Sequence, residues 1–400
     1  MPAAPTLAAV LEALLAAALG ALALTFAIYP VAIGLLARLR GRAHAVDGGL
    51  LPAVTVIVAA HDEAVVIGAK CDNILGLDYP PDRLDAVVVS DGSTDGTDEI
   101  VRARGGARIR LLRQEPRQGK AAALGRAIAA ARGEVLVFTD ANVLFDREAV
   151  RRLVRHFADP AVGVVTGTVH LIDGKPGYAQ SEGLYYRYER FLQRSESTYD
   201  SVVGVDGALY AVRRDLAQAP PPDVILDDFL VSMDVAARGG RIIYDPTAEA
   251  WEDAAPSVEQ EFRRKSRVAM GAFQLLGRGL AVPPLERGRL LFCWAGHKLL
   301  RWVAPWALLA AFAASVALAR EGPLFAGLAW AQVAFYAVAC AGLAFPAIRG
   351  WRPVAVPTYF TLMNAAFAWG LIRLLRGDAR GTWQKVDRRL VEVGELGHAA

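Results

Sequence analysis

Polar side chains that could bind a cation or a phosphate follow three apolar runs in the first part of the chain. A carboxylate after such a run could accept hydrogen bonds from a ribose or from a base edge. Two oxygen-bearing side chains two positions apart could hold a hard divalent cation that bridges phosphates. These residues are His61 and Glu63 after the first run, Asp91 after the second, and Asp140 and Asn142 after the third.

Each of these residues also has an ordinary structural explanation. Asp91 opens the turn-rich segment DGSTDGT and could form an Asx turn or cap a helix. His61 and Glu63 could be loop residues, or Glu63 could be a carboxylate at a helix start. Lys120 follows Gly119 and could meet a phosphate, although a solvated surface lysine fits equally well.

Strands of a parallel sheet would position these side chains. Residues 54–60, 85–90 and 134–139 are continuous runs rich in β-branched residues, bounded by turn residues and separated by helical stretches. This pattern is typical of buried parallel strands and predicts an α/β fold. In such sheets ligands bind at the carboxyl ends of the strands, where the polar residues lie.

Alternating helices and strands continue to residue 276. Asp227 and Asp228 stand together near the start of an amphipathic helix over residues 224–240, and glycine ends this helix. Two adjacent carboxylates there could include a catalytic base or could be helix caps. The other predicted elements are a helix near 146–157, a strand at 162–171, a helix at 177–197, a strand pair or strand-loop at 202–214, a strand at 241–246 and a basic helix at 257–276.

Composition indicates a membrane protein. Of the 400 residues, 54% are hydrophobic, and the mean hydropathy is +0.29. Residues 13–37 carry no charge, and about 25 residues at about 1.5 Å each can cross a bilayer core of roughly 30 Å. The stretches 302–319, 322–348 and 353–372 could also span.

The net charge of +3 predicts no nucleic-acid partner, and the three scattered cysteines predict neither a disulfide framework nor a zinc site.

Basic residues predict the orientation. Arg38, Arg40 and Arg42 follow the first span, so the positive-inside tendency puts the catalytic part in the cytoplasm, with a bacterial inner membrane as the expected location. A cleaved signal peptide is the alternative to this span. Three later spans would put the basic tail outside, so either one stretch is re-entrant or interfacial or the tail breaks the rule.

The predicted organisation is a transmembrane helix at 1–40, a linker at 41–53, a catalytic domain at 54–284, an interfacial helix at 285–302, about three transmembrane helices at 303–376 and a basic tail at 377–400.

In combination, the motifs resemble the membrane-bound inverting family 2 glycosyltransferases, such as the cellulose, hyaluronan and poly-N-acetylglucosamine synthases. The resemblance covers about residues 53–275 and extends to the flanking spans. It implies the GT-A (nucleotide-diphospho-sugar transferase) fold with flanking transmembrane helices. The motifs that carry it are VIVAAHDE, VVVSDGSTDGT, QGKAAALGRAI, FTDAN and ILDDF, of which VVVSDGSTDGT is the most specific.

The resemblance also implies roles for the site residues. It implies that Asp228 is the general base, with Asp227 beside it. It implies that Asp140 and Asn142 hold the diphosphate through Mg²⁺ or Mn²⁺. The implied donor-binding residues are His61 in the first donor loop, Glu63 and Asp91 against the uridine of a UDP-sugar, Lys120 nearby, and Asp140.

Two departures from the family pattern affect these expectations. Asn142 replaces the second Asp of the D-x-D motif, which predicts a weaker metal ligand. The synthase motif Q-x-x-R-W keeps its Arg as Arg267, but Arg264 and Val268 replace its Gln and Trp, and the missing Trp argues against long processive polymerisation. Arg264 and Arg267 could face the diphosphate or the acceptor, or their helix could lie on anionic lipid headgroups.

The expected function is transfer of a sugar from a UDP-sugar to a membrane-associated glycan or a lipid-linked acceptor. Spans on both sides of the domain favour polysaccharide synthesis for the cell envelope, with export proteins as possible partners. Single-sugar transfer to a polyprenyl or other lipid acceptor is the first alternative. The second alternative is a membrane protein that binds a nucleotide sugar without catalysis.

Overall fold

A mixed eight-stranded sheet occupies the middle of the chain in the computed structural model, which describes residues 6–172, 179–253 and 258–378, apart from the side chains of 179–184. This sheet confirms the predicted α/β fold. The strands are β1 Val54–Ala60, β2 Leu84–Asp91, β3 Ile109–Gln114, β4 Val135–Asp140, β5 Leu144–Phe145, β6 Val162–Ile172, β7 Tyr210–Arg213 and β8 Arg241–Asp253.

Helices cover the sheet and form the apolar ends of the chain. In the described residues, π-helical turns at Leu24–Ile28 and Ala295–Leu299 join α1 to α2 and α10 to α11. The α-helices are α1 Leu7–Ala23, α2 Tyr29–Arg40, α3 Ile67–Leu75, α4 Thr97–Gly105, α5 Lys120–Ala130, α6 Ala149–Val154, α7 Ala179–Tyr199, α8 Asp227–Ala237, α9 Val258–Gly277, α10 Gly288–Trp294, α11 Leu300–Ala317, α12 Pro323–Ala344 and α13 Arg352–Leu375.

The strand order is β3-β2-β1-β4-β7-β6-β8-β5. β1 pairs in parallel with β2 and β4, and β2 pairs in parallel with β3. β7 runs antiparallel to β4 and β6, while β8 is parallel to β6. The chain builds β2 and β3 on one side of β1 and then returns to β4 on the other. Such a reversal opens a crevice at the carboxyl ends of the strands, where ligands bind.

Both faces of the sheet are buried, which explains the uninterrupted apolar runs. In β1, Ile57 and Ala59 enter one core cluster, and Val56 and Val58 enter the other, because successive side chains of a strand alternate. Helices α3, α4 and α6 contribute to the cluster that contains Val56. The cluster that contains Ile57 takes side chains from α5 and α8 and also from α2 and α11. The apolar end helices therefore share a core with the sheet.

The sequence analysis missed two strands and shortened a third. β3 carries Arg110 and Arg113 among its apolar residues, as suits its place at the sheet edge. β5 has only two residues and pairs with β8, so no continuous apolar run in the sequence indicates this strand. β8 extends to Asp253 rather than stopping at 246, because its second half pairs with β6 beyond an irregularity in register.

Four helices among the described residues are long and apolar enough to cross a membrane: Leu7–Arg40, Gly288–Ala317, Pro323–Ala344 and Arg352–Leu375. Their number agrees with the one N-terminal and about three C-terminal spans predicted. The helix Gly288–Ala317 is continuous, however, so the boundary predicted at 302 between an interfacial helix and a span is not a helix break. Most of the predicted basic tail, residues 379–400, lies outside the described residues.

Residues 41–53, predicted as a linker, lie against the domain. Arg42 Nη1 donates to Asp200 Oδ1 at 2.7 Å, and a His44 ring nitrogen lies 2.7 Å from one of His156. The carbonyl oxygen of Pro52 accepts a hydrogen bond from a tyrosine hydroxyl at 2.6 Å. The segment therefore holds the first apolar helix at a defined position against the sheet domain.

A buried polar cluster joins the apolar end helices to α7. His297 lies between two carboxylates, with Nδ1 at 2.7 Å from Glu196 Oε1 and Nε2 at 2.7 Å from Glu189 Oε1. Tyr29 of α2 donates to Glu196 at 2.6 Å, and Arg301 of α11 donates to Glu189 at 2.7 Å. Both ring nitrogens of His297 therefore face carboxylate oxygens. This His297 cluster fixes α2, α7 and the Gly288–Ala317 helix to one another.

Candidate active site

The loops after β1 and β2 are tied together at the carboxyl edge of the sheet. The Asp62 amide donates to Ser93 Oγ at 3.1 Å, and the Thr94 amide donates to Asp62 Oδ1 at 2.8 Å. Asp62 has a φ of 53°, a left-handed conformation that aspartate tolerates better than most residues. His61 Nδ1 lies 2.7 Å from the carbonyl oxygen of Asp91. The structure thus brings the first two predicted donor loops together.

Glu63 lies in the turn that leads into α3. Its amide donates to Thr97 Oγ1 at 2.9 Å, and its carbonyl oxygen accepts from the amides of Val66 and Ile67. These are contacts of an ordinary helix start. The donor-binding roles of His61 and Glu63 remain predictions.

Asp91 is fully buried, and its carboxylate holds the loop that precedes α5. Oδ1 accepts hydrogen bonds from Gln114 Nε2 at 2.6 Å and the Gln118 amide at 2.8 Å, while Oδ2 accepts from the Gly119 amide at 2.8 Å. A carboxylate has about four acceptor sites, so protein donors occupy most of them. These contacts support a role for Asp91 in placing Lys120, and its contact with uridine remains a prediction.

Lys120 begins α5 and points into the crevice. Its Nζ donates to Asp140 Oδ1 at 2.6 Å and lies 3.9 Å from Asp227 Oδ2. These carboxylates outweigh the effect of burial and raise the pKa of Lys120 above its usual range. Lys120 is therefore a permanent cation between the β4 loop and α8. Its contact with Asp140 joins two residues that the sequence analysis assigned to the donor site.

Asp140 and Asn142 follow β4 on a tight turn. The Asp140 side chain is 31% exposed, whereas Asn142 is buried. Asn142 Nδ2 donates to Glu252 Oε1 at 3.3 Å, and Asn142 Oδ1 has no hydrogen-bond partner in the described part of the chain. An unpartnered buried amide oxygen two residues from a carboxylate suits a hard divalent cation.

The set of possible metal ligands is small but is chemically suitable for Mg²⁺ or Mn²⁺. No group of three or more His, Cys, Asp or Glu side chains that could hold a metal ion occurs within residues 6–172, 179–253 and 258–378. A magnesium ion in a phosphate-transfer site commonly takes one or two protein ligands, with waters and substrate phosphates completing its shell. Asp140 and Asn142 fit that pattern. They would supply two oxygen ligands, and a nucleoside diphosphate would supply others.

Asp227 and Asp228 begin α8 and face the same crevice. Asp228 Oδ1 accepts from the Phe229 amide at 2.8 Å, and the backbone of Gly207 approaches Oδ2 so closely that an added Cβ would lie 2.6 Å away. Burial and the neighbouring Asp227 carboxylate raise the pKa of Asp228 to about 7. A carboxylate that titrates near neutral pH is suited to accept a proton in general-base catalysis.

The structure adds two carboxylates that the sequence analysis did not select. Asp206 lies in the loop before β7, and burial raises its pKa against the lowering effect of Arg264. Glu252 lies near the end of β8, bonds to Asn142, and also has a pKa raised by burial. Both lie within electrostatic reach of Asp140. Their sequence contexts, VDG and WED, contain no signal that distinguishes them from turn carboxylates.

Arg264 lies at the acidic edge of this site. Its guanidinium donates to Glu261 at 2.8 Å on the same helix, and its charge acts on Glu252 and Asp206. Arg267 lies partly exposed on α9, three residues further along. Arg264 therefore faces carboxylates, and the predicted diphosphate or acceptor contacts of both arginines remain predictions.

Helix α9 packs on the last apolar helix. Ser266 Oγ donates to the Ala366 carbonyl oxygen at 3.2 Å. A Cβ added at Gly370 would lie 2.6 Å from Ala269 Cβ, so glycine permits this close approach. The basic helix thus contacts α13 directly, which puts the Arg264 edge of the site beside a candidate membrane span.

The sheet and its crevice define a class of protein. A mixed α/β sheet with a lysine-aspartate pair, a turn at the end of β4 that carries Asp140 and Asn142, and an acidic pair at a helix start is the arrangement of GT-A glycosyltransferases. Residues 52–271 match the family described as "Glycosyltransferase like family 2". This match covers more than half of the chain, which therefore belongs to that family and is a glycosyltransferase.

Solved and curated relatives agree with this assignment. The structure of the mannosyltransferase PcManGT from Pyrobaculum calidifontis, in complex with GDP-Man and Mn²⁺, has a TM-score of 0.70 and 28% identity, covering 92% of this chain and 99% of that one. Poly-beta-1,6-N-acetyl-D-glucosamine synthase of Staphylococcus aureus (strain COL) is 24% identical over 57% of this chain and 56% of its own length. The probable glycosyltransferase YdaM of Bacillus subtilis (strain 168) is 27% identical over 60% of each chain. The chain thus spans little more than half the length of these two curated relatives.

Proposed function

We propose that this glycosyltransferase moves a sugar from a UDP-sugar to an acceptor at the membrane surface, with inversion at the anomeric carbon. The observation that carries the proposal is the position of Asp228, whose pKa is raised to about 7, beside the Lys120–Asp140 pair. A proton acceptor and a binding site for a diphosphate would then face the same reacting centre.

Asp228 is the proposed general base. An acceptor hydroxyl is a weak nucleophile at neutral pH, and a carboxylate titrating near 7 can take its proton during attack. The proton moves to Asp228 as the hydroxyl oxygen bonds to the anomeric carbon and the bond to the diphosphate breaks. One displacement inverts the configuration, so an α-linked donor gives a β-linked product without a covalent enzyme intermediate.

The departing nucleoside diphosphate gains negative charge. Lys120 is a fixed cation at this place, and Asp140 and Asn142 would hold Mg²⁺ or Mn²⁺. A divalent cation would stabilise the developing charge on the phosphate oxygens. The mannosyltransferase of Pyrobaculum calidifontis is described with GDP-Man and Mn²⁺, which supports the cation and makes a guanine nucleotide the alternative donor to UDP.

Contact between α9 and α13 supports an acceptor at the membrane. Arg264 and the carboxylates Asp206 and Glu252 form the edge of the site nearest to these helices. We propose that this edge receives a membrane-associated glycan or a lipid-linked acceptor. The similarity to a poly-N-acetylglucosamine synthase supports polymer synthesis, whereas Val268 in place of the motif Trp supports a short product or single transfer.

The proposed orientation follows the basic residues after the first span. Arg38 and Arg40 end α2, and we propose that they and the catalytic domain lie on the cytoplasmic side of a bacterial inner membrane. Export proteins remain proposed partners in the polymer case. Cysteine-accessibility labelling at positions 38 and 321 in intact cells would test the orientation of the first and third candidate spans, Leu7–Arg40 and Pro323–Ala344.

Nucleotide release by the full-length chain in detergent or vesicles tests the function. The assay contains Mn²⁺ or Mg²⁺ and a panel of UDP-sugars together with GDP-mannose, and the products are sized. Vesicles with and without polyprenyl phosphate separate lipid-linked from glycan acceptors. We expect cation-dependent release from one UDP-sugar, and a loss of about 100-fold or more in Asp228→Asn with UDP binding retained.

Asp234→Asn is the matched control, because it makes the same chemical change on α8 at a side chain that is 37% exposed and pairs with Arg238. It is expected to keep wild-type turnover. Full turnover in Asp228→Asn would refute the base assignment. Nucleotide binding without release from any donor or acceptor would favour the non-catalytic alternative, and release from GDP-mannose alone would replace the proposed donor.

A further inference from the structure

Helix α3 lies behind the turn that follows β4 and carries a fully buried lysine. Lys70 is 0% exposed. Its Nζ donates to Thr139 Oγ1 at 3.0 Å and to the Val143 carbonyl oxygen at 2.6 Å. These two acceptors stand immediately before Asp140 and immediately after Asn142. One amine group therefore closes the base of the segment that carries both proposed cation ligands.

A second side chain of α3 extends this support. Asn73 Nδ2 donates to the Phe145 carbonyl oxygen at 2.9 Å, and the Phe145 amide donates back to Asn73 Oδ1 at 2.9 Å. Lys70 Nζ also lies 3.8 Å from the centre of the Phe145 ring. Two residues on one face of α3 thus bind the chain from 139 to 145 along its length.

Packing alone does not explain a lysine at this position. Ile67, Cys71 and Ile74 of α3 are buried in the same apolar cluster, and an apolar side chain at position 70 would continue their face. Burial of an ammonium group is costly unless it makes hydrogen bonds. Here the amine donates to the Val143 carbonyl oxygen and to Thr139 Oγ1. An apolar side chain at position 70 would remove both hydrogen bonds between α3 and this segment.

We propose that Lys70 is a positioning residue that holds residues 139–143 in the conformation presenting Asp140 and Asn142 to a divalent cation. The proposal rests on the cation-binding role proposed above for those two residues. Lys70 itself lies beneath the turn and contacts neither the cation nor the sugar. Its loss would let the turn relax and separate the two ligand oxygens.

Lys70→Met tests this inference in the full-length, detergent-purified chain. Methionine has a similar length and fills the space but donates no hydrogen bond. Amide hydrogen exchange in metal-free protein reports on the turn, and Mn²⁺ titration followed by electron paramagnetic resonance in the presence of UDP reports on the site. We expect exchange at residues 139–143 to become about 10-fold faster and half-saturation by Mn²⁺ to need at least about 10-fold more metal, the range for residues that orient metal ligands.

Two further variants keep the test decisive. Val101→Ala is the control for general loss of stability, because Val101 is fully buried in the same apolar cluster but lies on α4. It is expected to leave the Mn²⁺ titration unchanged. Thr139→Val removes one acceptor of Lys70 at constant size, together with the 3.4 Å hydrogen bond from Thr139 Oγ1 to the Asp140 carbonyl oxygen, and we expect a smaller change in the same direction. If Lys70→Met does not fold, unchanged exchange at residues 139–143 in Thr139→Val would overturn the proposal.

Unchanged exchange and an unchanged Mn²⁺ titration in folded Lys70→Met would overturn the proposal. An equal change in Val101→Ala would also overturn it, because the effect would then be general destabilisation. If the wild-type chain binds no Mn²⁺, the proposed cation site fails, and exchange at residues 139–143 still decides whether Lys70 holds the turn.

Discussion

The raised pKa of Asp228 predicts that the resting enzyme becomes less stable as pH rises through neutrality. The ordinary carboxyl value is 3.8, and the value in the folded chain is about 7. Between these values the folded protein holds a proton that the unfolded chain has lost, so the free energy of unfolding falls with increasing pH. One pH unit corresponds to about 1.4 kcal/mol, which makes the full penalty of charging Asp228 up to about 4 kcal/mol.

Asp228→Asn removes this penalty because the amide is neutral at every pH. We expect wild type and variant to have similar thermal stability near pH 4. Above about pH 7 the variant should be the more stable of the two, by up to about 4 kcal/mol. Both proteins should be compared metal-free, with a chelator, because a bound cation would lower the cost of charging the carboxylate. The same variant should lose turnover, so that stability and activity move in opposite directions.

The assay is thermal unfolding of the detergent-purified chain between pH 4 and 9. Asp234→Asn serves as the control, since that carboxylate pairs with an arginine at the surface of α8. A constant difference between Asp228→Asn and wild type over the whole range would refute the reasoning, because no differential titration would then exist. Wild-type kcat should rise with pH to a plateau, as expected for a base that must be unprotonated, with a midpoint below about 7 because the bound cation favours the charged carboxylate.

Three further predictions concern residues that the structure puts in contact. Gly207→Ala should lower kcat by about 10-fold or more, because the new Cβ would lie 2.6 Å from Asp228 Oδ2 and displace the base by a fraction of an ångström to about 1 Å; steady-state kinetics measure this. Asn142→Asp should lower the metal-free melting temperature, because it replaces the donor to Glu252 by a second carboxylate, and Mn²⁺ should raise that temperature more than in wild type. His297→Gln should cost about 1 to 3 kcal/mol of stability, because it is expected to lose at least one of the two side-chain hydrogen bonds to the buried carboxylates of Glu189 and Glu196; the melting temperature of the purified chain reports the loss.

Each of these predictions has a clear contrary result. Unchanged kcat in Gly207→Ala would mean that the loop yields without moving the base. A metal-free Asn142→Asp protein as stable as wild type would mean that Glu252 is already protonated. Lys298→Ala is the control for His297→Gln, since Lys298 lies 3.8 Å from Glu189 and its loss should cost much less. Equal losses would show that net charge, rather than the paired ring, stabilises the cluster.

The strands that carry the site could be predicted from the sequence because their signal is local. β1, β2 and β4 are continuous apolar runs that end at turn residues, and burial on both faces of the sheet requires that composition. The carboxyl ends of parallel strands meet at one edge, so His61, Asp91 and Asp140 could be expected together. The pairing of Lys120 with Asp140 at 2.6 Å agrees with that expectation.

Edge strands and the ends of elements carried weaker signals. β3 contains two arginines because an edge strand meets solvent, so it lacks the continuous apolar run that marks β1, β2 and β4. β5 has only two residues and exists because β8 pairs with it. The helix Gly288–Ala317 mixes charged and apolar residues around His297 and therefore resembled an interfacial segment. Within this helix, His297 and Arg301 pair with Glu189 and Glu196 of α7, and the interfacial position remains a prediction.

The sequence by itself determined the α/β class, the order of the motifs, the apolar end segments and the residue types at the site. Tertiary structure decided which partners those residues have. Glu252 meets Asn142 across 110 positions, and Lys70 meets Thr139 across 69. Local patterns encode strands, turns and helix faces, because those depend on neighbouring residues. Desolvation, charge pairing and the shift of a carboxyl pKa depend on groups that only the folded sheet brings together, so no local pattern could have assigned them.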